Sequence, residues 1–494
     1  MFHFPSQIKT AGYSAEIMEA SGMRLSSSFD MTRHISLNTL YQWCKEDSFR
    51  LFFKNAGTLL SGNIVAWILG LATFAITARI LGPTQFGILV LITTYVTIVD
   101  QLVHFQSWQA LIKYGAEALV RKSDDDFKTI VKLCTLTDVA TAILGTVVAT
   151  VAVSWVGQLL AWESETVLMA ALYSFVILFN ISGTPTGILR LFNCFRLFAV
   201  QNIITAAIKF IGILILLFIG VDLWSVLILW MATTIIGQLL LFGLGWRELH
   251  KQGFKEIHKV PIKGISTKHP GIWGFVLTTN LNSSIKMTVR ELDTIIVGGI
   301  AGVEGAGLFK IAKQIAAIPA MLSDPFYQVI YPDLSRLWAK GNIKKFKQLI
   351  VRSGLVAGGG ATIIWLGVIL FGSFFIQLVF GAEFVAAQPV LVWYMLAMVI
   401  AIYGFPLQPA MLSMGHPKTT FWVHLLSAIG YFSLLFIFIK WMGLIGAGIA
   451  YVCYYLLWTC LTIGLERKYL KEKVLVTQEG SSSNLYSDDN ITPQ

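Results

Sequence analysis

The stretch ARILGPTQFGILVL, residues 78–91, is the turn from which the fold can be read. It joins an apolar run over 56–81 to a second over 86–112, with Gly82 and Gly87 placed where glycine permits a tight turn. About 20 apolar residues are needed to cross the hydrocarbon core as a helix, so each run is long enough to span. The two together read as a membrane hairpin.

Ten further runs follow: 131–156, 166–189, 198–220, 223–245, 271–299, 305–331, 353–379, 385–412, 418–439 and 443–464. The 494-residue chain is 55% hydrophobic and only 13% charged, with a mean hydropathy of +0.69. Soluble domains sit near roughly 45–50% apolar and about 25% charged. Unpaired backbone is too costly in lipid for open sheets or loops. The expectation is therefore an all-α integral membrane protein with about twelve transmembrane helices.

Charge placement predicts the orientation. Lys113, Arg121, Lys122, Lys128 and Lys132 follow the second run, Arg247, Lys251, Lys255, Lys259, Lys263 and Lys268 the sixth, and Arg336, Lys340, Lys344, Lys345, Lys347 and Arg352 the eighth. The opposite boundaries hold Arg79 and Lys440. By the positive-inside rule both termini are expected in the cytoplasm. The formal net charge of +10 then belongs to loops facing anionic lipid, and no nucleic-acid partner is implied.

Residues 37–54 read as an amphipathic helix on the membrane surface, and no signal peptide precedes them. The last residues, TQEGSSSNLYSDDNITPQ, read as a disordered tail. Both boundaries belong to an expected division into 1–54, a first lobe 55–246, a basic linker 247–270, a second lobe 271–465 and a tail 466–494.

A repeat underlies the two lobes. VGGIAGVEGAGLFK, residues 297–310, carries Gly302 and Gly307, each 220 residues after Gly82 and Gly87. Phe127 and Lys128 likewise match Phe346 and Lys347, and Gln158 and Glu163 match Gln377 and Glu383, at offsets of 219 or 220. Two six-span halves running in the same direction, around a central cavity, account for this offset.

NLNSSIKMTVRELDTIIVGG, residues 280–299, interrupts the seventh run with four charges. Asn282, Lys286, Arg290 and Asp293 share one helical face, while Glu291 points elsewhere. A charge at mid-bilayer costs roughly 2.5–3.5 kcal/mol on insertion scales, so the stripe faces protein or water. It reads either as cavity lining or as a self-neutralising ladder pairing Arg290 with Asp293, with Glu291 reaching a neighbouring helix. Lys310 and Lys313 in the eighth run read either as partners of this wall or as chains snorkelling to the interface. Arg79 and Lys209 are the first-half candidates. Basic side chains suit phosphate oxygens, so Lys286, Arg290, Lys310, Lys313, Arg79 and Lys209 are the candidate phosphate-binding residues.

A second stripe, Thr93, Thr97, Asp100, His104 and Ser107, lies on one face of the second run. Asp100 and His104, with Asp293, are the candidates for H⁺ or Na⁺ coupling, against a plain packing role. Asp138 and Asp324 are further carboxylates within the spans. The chain has no G-x-x-x-x-G-K-[ST] sequence, so no nucleotide site is expected. Its cysteines (Cys44, Cys134, Cys194, Cys453 and Cys460) are isolated, which argues against disulfides and zinc. No cofactor or metal is expected, and the short outer loops argue against an enzyme.

Several stretches together resemble the polysaccharide transport family of lipid-linked oligosaccharide flippases, in the superfamily that also holds multidrug and toxin extrusion antiporters. They are residues 55–91, 295–322, YPDLSRLWAKGNIKKFKQLI, LVFGAEFVAAQPVL, SMGHPKTT and GLIGAGIAY. The resemblance covers 55–465 and implies two six-helix lobes around a cationic cavity, working by alternating access. It implies a polyprenyl pyrophosphate-linked oligosaccharide as substrate, membrane lipids as surroundings, polysaccharide polymerase and chain-length proteins as partners, and a bacterial inner membrane as location. Arg79 is the residue that maps onto a family-like turn. Glu291 and Asp293 depart from a plainly cationic wall. The rival readings are a cation-coupled multidrug or metabolite antiporter and, further off, a membrane glycan polymerase or ligase.

Overall fold

The computed structural model describes the backbone of residues 47–105, 107–261, 268–269 and 271–485. Side chains are described for 64–105, 107–261, 268–269, 271–277, 290–319, 330–416 and 418–472. The 37–46 part of the surface helix expected over 37–54, the side chains of Asn282, Lys286 and Asp324, and the end of the tail lie outside these residues. Contacts divide the chain after Gly57, and the unit from Thr58 onward holds the membrane-spanning helices.

Every described element is helical. α1 (Asp47–Val103), α2 (Ser107–Val120), α3 (Asp124–Leu159), α4 (Ser164–Ser174), α5 (Gly183–Leu191), α6 (Phe195–Ile219) and α7 (Leu223–Lys251) make up the first half. α8 (Ile272–Ala316), α9 (Ile318–Ala339), α10 (Ile343–Val379), α11 (Gln388–Tyr403), α12 (Leu407–Ser413), α13 (Pro417–Met442) and α14 (Ile445–Leu485) make up the second. Among the described residues ten helical stretches are long and apolar enough to cross a membrane. The protein is a multi-pass, all-α membrane protein.

The predicted hairpin turns are breaks inside α1 and α8. Gly82 has φ 70° and ψ 171°, and Gly302 has φ 78° and ψ 177°. A side chain at positive φ is strained, so glycine is the residue that permits this reversal. Each break therefore holds two antiparallel spans. Further breaks also recur: α4 and α5 are separated by a 3-10 turn at Phe175–Phe179, and α11 and α12 by the segment 404–406. Spans three, five, six, nine, eleven and twelve fall in α3, α6, α7, α10, α13 and α14.

Packing is uneven along the bilayer normal. Toward the Gly82 and Gly302 turns, one hydrophobic cluster takes in Ala78, Phe86, Val90, Ile177 and Val226 from the first half with Val297, Phe309, Phe380, Phe384 and Leu435 from the second. Ring pairs Phe86–Phe384 at 5.9 Å and Phe74–Phe380 at 6.3 Å cross between halves there. Toward the opposite, basic end there are two separate clusters. Leu111, Phe127, Ile130, Ile188 and Leu249 form one, and Leu334, Phe346, Ile350, Ala410 and Trp458 the other. The halves are thus joined at one end, and at the other each has its own cluster, apart from the start of α8, which joins the first.

The start of α8 belongs to the first of these basic-end clusters: Ile272 and Val276 are buried among first-half residues. Tyr114 stacks edge-on against His269 at 5.6 Å and Phe275 at 5.9 Å, with Lys113 Nζ over the Phe275 ring at 4.5 Å. The expected lobe boundary at residue 271 therefore falls just before a stretch that packs on the first half. Its far leg, from Asp293 onward, meets both halves: Tyr431 bonds Asp293, while Gly298 and Gly299 face Leu91 and Leu160.

Candidate functional site

The reversal at Gly302 brings the charges of the seventh and eighth spans together. Glu291 and Asp293 lie about ten residues before it, and Lys310 and Lys313 about ten after; at 1.5 Å per residue both sets sit roughly 15 Å from the turn. That depth is the middle of a core about 30 Å thick. Lys310 Nζ donates to Glu291 Oε2 at 2.8 Å. Lys313 Nζ donates to Asp293 Oδ1 at 2.8 Å and to the Arg290 carbonyl, and is 3.9 Å from Glu291 Oε2.

Two of the open readings are decided by this geometry. The lysines do not snorkel to the interface; they turn inward to carboxylates. Asp293 is bonded by Lys313 and not by Arg290, while Glu291, off the stripe, does reach the neighbouring helix. With Arg290 beside the network and exposed, three cationic side chains face two anionic ones. The cationic wall is therefore largely neutralised from within.

Tyrosines close the other side. Tyr431 on α13 donates to Asp293 Oδ2 at 3.3 Å, and Thr294 Oγ1 is 3.1 Å from Oδ1. Tyr431 packs on Tyr451 and Tyr454, and Tyr394 on α11 stacks on Tyr451 at 4.1 Å. Tyr451 and Tyr455 share a hydrogen bond at 3.3 Å. Sequence reasoning missed this cluster; the visible signal was Tyr451, Tyr454 and Tyr455 recurring at helical spacing in YVCYYLLW.

The first half has no such charges at the equivalent positions. Asp293 and Lys313 correspond, 220 residues back, to Thr73 and Thr93. Their hydroxyls bond back to Leu69 and Leu89 carbonyls in their own helix. Lys209 sits instead between α6 and α7, its Nζ 3.4 Å from the Trp230 ring centroid. Arg79 is at the turn end, where its Nη1 donates to the Leu378 carbonyl at 3.5 Å. Neither joins the Lys310–Lys313 network among the described contacts.

The second stripe is also rearranged. Thr93 and Thr97 bond to their own helix, and α1 ends at Val103. Asp100 Oδ2 accepts a hydrogen bond from Asn180 Nδ2 at 2.7 Å, not one from His104. Asn180 follows the 3-10 turn in span four and was not singled out in the sequence. Asp138 is fully buried and accepts from both the backbone N–H and the hydroxyl of Thr184 at 2.7 Å, pinning the start of α5. Asp138 is therefore held as a helix cap.

At the basic end, Lys132 Nζ donates to the carbonyls of His258 and Val260 at 2.6 and 2.7 Å, and Lys268 to Asp126 at 2.7 Å. The Lys268 ammonium holds the Asp126 carboxyl below the usual carboxylate range and is itself raised. These bonds tie the linker to α3.

A family profile described as "Polysaccharide biosynthesis protein" matches residues 52–338, more than half of the chain. An inner membrane protein of Escherichia coli (strain K12), YghQ, is 28% identical over 352 residues, covering 70% of this chain and 97% of that protein. In fold, the chain is similar to an inward-facing multidrug resistance MATE transporter of the MOP superfamily, with a TM-score of 0.68 at 13% identity over 85% of this chain and 98% of that one. It is also similar to the lipid II flippase MurJ in an inward closed conformation, with a TM-score of 0.64 at 14% identity over 88% and 93%. Two halves, each with a glycine reversal in its first long helix and with paired charges in the second of them, thus share the fold of these transporters, and the chain belongs to the polysaccharide biosynthesis protein family.

Proposed function

We propose that this protein flips a polyprenyl pyrophosphate-linked oligosaccharide from the cytoplasmic to the outer leaflet of a bacterial inner membrane, for surface polysaccharide assembly. Two lobes, 55–246 and 271–465, would rock about their joined end while the linker 247–270 stays cytoplasmic. The basic loops support this orientation by the positive-inside rule. Separate packing of the halves at that same end supports a cavity open to the cytoplasm.

The observation that carries the reading is the pairing of Lys310 and Lys313 with Glu291 and Asp293 at mid-bilayer depth. A diphosphate entering from the cytoplasmic side would exchange with the two carboxylates on these ammonium groups, with Arg290 and Lys286 completing its ligation. Glu291 and Asp293 would hold the two lysine side chains in place when no substrate is present, so the site need not be built at each cycle. After release, Glu291 and Asp293 would recapture the lysines. Outward movement of negative charge is favoured by roughly 2.3 kcal/mol per charge per 100 mV. Polysaccharide polymerase and chain-length proteins would act on the delivered lipid.

The antiporter alternative needs carboxylates free to take a cation, and in this cluster both are held by lysines. The test is flipping of a fluorescent polyprenyl pyrophosphate sugar in proteoliposomes holding the native chain or variants. Lys310→Ala with Lys313→Ala is expected to abolish flipping, and Lys286→Ala with Arg290→Ala to weaken it. Full activity in the Lys310 and Lys313 double variant sinks the phosphate site. Lost drug resistance with intact surface glycan in a deletion strain favours the antiporter.

A further inference from the structure

Where spans four and five meet at the basic end, a small cavity lies apart from the charge network of the second half. Leu189 and Arg190 from the last turn of α5 line it with Phe195 and Phe198 from the start of α6, around about 150 Å³. Trp108 on α2 lies against Arg190, with the guanidinium carbon 4.3 Å from its ring centroid. The apolar run of span four ends at residue 189 and that of span five begins at 198. The cavity therefore sits where hydrocarbon gives way to head groups.

A guanidinium keeps its charge and carries five N–H donors in a planar fork. Its contact with Trp108 fixes the plane of the fork, and a basic residue in a last helical turn suits the helix dipole, but neither takes up the donors. Among the described residues, no carboxylate lies within ion-pair distance of the half-buried Arg190 and its side chain makes no hydrogen bond, whereas Lys310 and Lys313 are both paired. Unanswered donors at a half-buried cation are costly unless an anion meets them. Beside them, the half-buried rings of Phe195 and Phe198 join none of the hydrophobic clusters. An unanswered cation and two unpacked rings thus share one cavity.

We propose that this cavity binds one anionic phospholipid of the surrounding membrane, its phosphate on the Arg190 fork and the first part of an acyl chain against Phe195 and Phe198. The fork can meet two phosphate oxygens at once. A free phosphate would leave the two rings uncovered, and a plain hydrocarbon would leave the guanidinium unanswered. A phospholipid supplies both halves of the match. The volume admits the junction of head and chain, and the rest of the lipid lies in the bilayer. Basic pockets between membrane helices on the cytoplasmic side recognise anionic head groups in this way. A bound lipid would tie α2, α5 and α6 together around the tight turn at Asn193, which has a φ of 56°. This site stands whether or not the chain carries lipid-linked sugars.

The experiment is thermal unfolding of the purified full-length chain in a neutral detergent, with phosphatidylglycerol titrated against phosphatidylcholine and, separately, against glycerol 3-phosphate at fixed ionic strength. A saturable rise in Tm with phosphatidylglycerol is expected, larger than with phosphatidylcholine and absent with glycerol 3-phosphate. Arg190→Gln should raise the half-saturating lipid concentration by about tenfold, through loss of a charge-assisted bond. Phe198→Ala leaves the charge in place and should raise it by roughly threefold, through loss of apolar contact; it carries the test by itself where the Arg190 variant does not fold. A photoactivatable phosphatidylglycerol should label the peptide holding Phe195 and Phe198. No response to phosphatidylglycerol in the native chain overturns the proposal, as does an undiminished response in either folded variant or labelling confined to other helices. An equal response to glycerol 3-phosphate overturns it in favour of free phosphate. Displacement of the photolabel by a polyprenyl diphosphate at lower concentration overturns it in favour of the transported lipid. Because the readout is binding, a phosphatidylglycerol response without flipping counts against the proposed substrate and not against this site.

Discussion

Gly87 and Gly307, 220 residues apart, pack directly on each other where the two halves meet: a Cβ on Gly307 would lie 3.2 Å from both the Cα and the N of Gly87. Equivalent residues that touch one another lie close to the axis relating the repeats. On Gly87 itself, a Cβ would meet the Val303 carbonyl oxygen at 1.8 Å. Tight turning accounts for Gly82; Gly87 is glycine because backbone from the other half fills the space.

Gly87→Ala is therefore expected to separate the halves at their joined end. Overpacking costs typically about 1–3 kcal/mol, read as a lower Tm, and cysteine pairs placed across the joint should cross-link more slowly. Gly359→Ala is the control. It lies in the interior of α10 with nothing within 4 Å of an added methyl, and should stabilise by about 0.5–1 kcal/mol.

The second prediction concerns the buried pair. Lys313 and Asp293 side chains are 11% and 3% exposed. Breaking such a pair from one side leaves an unpaired charge and costs roughly 3–5 kcal/mol. Lys313→Met alone should lower Tm markedly, and Lys313→Met with Asp293→Asn should recover most of the loss. A double variant no more stable than the single one would show that the pair is not the source of the effect.

Lys209 provides a contrast with the proposed site. Over Trp230 it contributes a cation–π contact of about 0.5–2 kcal/mol, and it is away from the charged network of the second half. Lys209→Met is expected to reduce stability modestly and leave flipping near the native rate. Loss of flipping comparable to the Lys310 and Lys313 variants would return Lys209 to the substrate path.

The linker bond should respond to pH in a defined sense. Asp126 is depressed by Lys268, so its contribution is present above its unfolded value, near 3.9, and fades as pH falls through the lower folded value. Lys268 is raised, so its part is lost only as pH rises through the folded lysine value. Between these limits the bond is flat with pH. Protection factors over 268–276, corrected for the intrinsic exchange rate at each pH, should fall below about pH 4, and Asp126→Asn should show that lower protection already at neutral pH. The pair is exposed on the Lys268 side, so the effect is small and sensitive to salt.

A helix-start variant gives an independent check of local structure. Asp222 caps α7 reciprocally with Ser225, each side chain bonding the other's backbone. Asp222→Ala should cost about 0.5–2 kcal/mol, measured as a fall in Tm with flipping retained.

Much of this architecture was legible in the sequence because membrane insertion acts on one dimension. Hydrophobic length determined the spans, and basic residues clustered at alternate boundaries. Recurring glycines at 82 and 302 and at 87 and 307 revealed the repeat. Helical periodicity likewise put Arg290 and Asp293 on one face and left Glu291 off it.

Tertiary structure alone decided the partners. A helical wheel ranks residues around one axis and is silent on the depth and rotation of the next helix. The reversal at Gly302 sets that register, and it gives Asp293 to Lys313, Glu291 to Lys310, and Tyr431 to both the carboxylate and the aromatic cluster. The same limit hid Asn180, an ordinary residue in sequence until a break in span four carries it to Asp100. It also hid the start of α8, whose apolar residues satisfy either half and are buried in the first, where Tyr114 and Lys113 receive Phe275 and Asp126 holds Lys268 just before the helix.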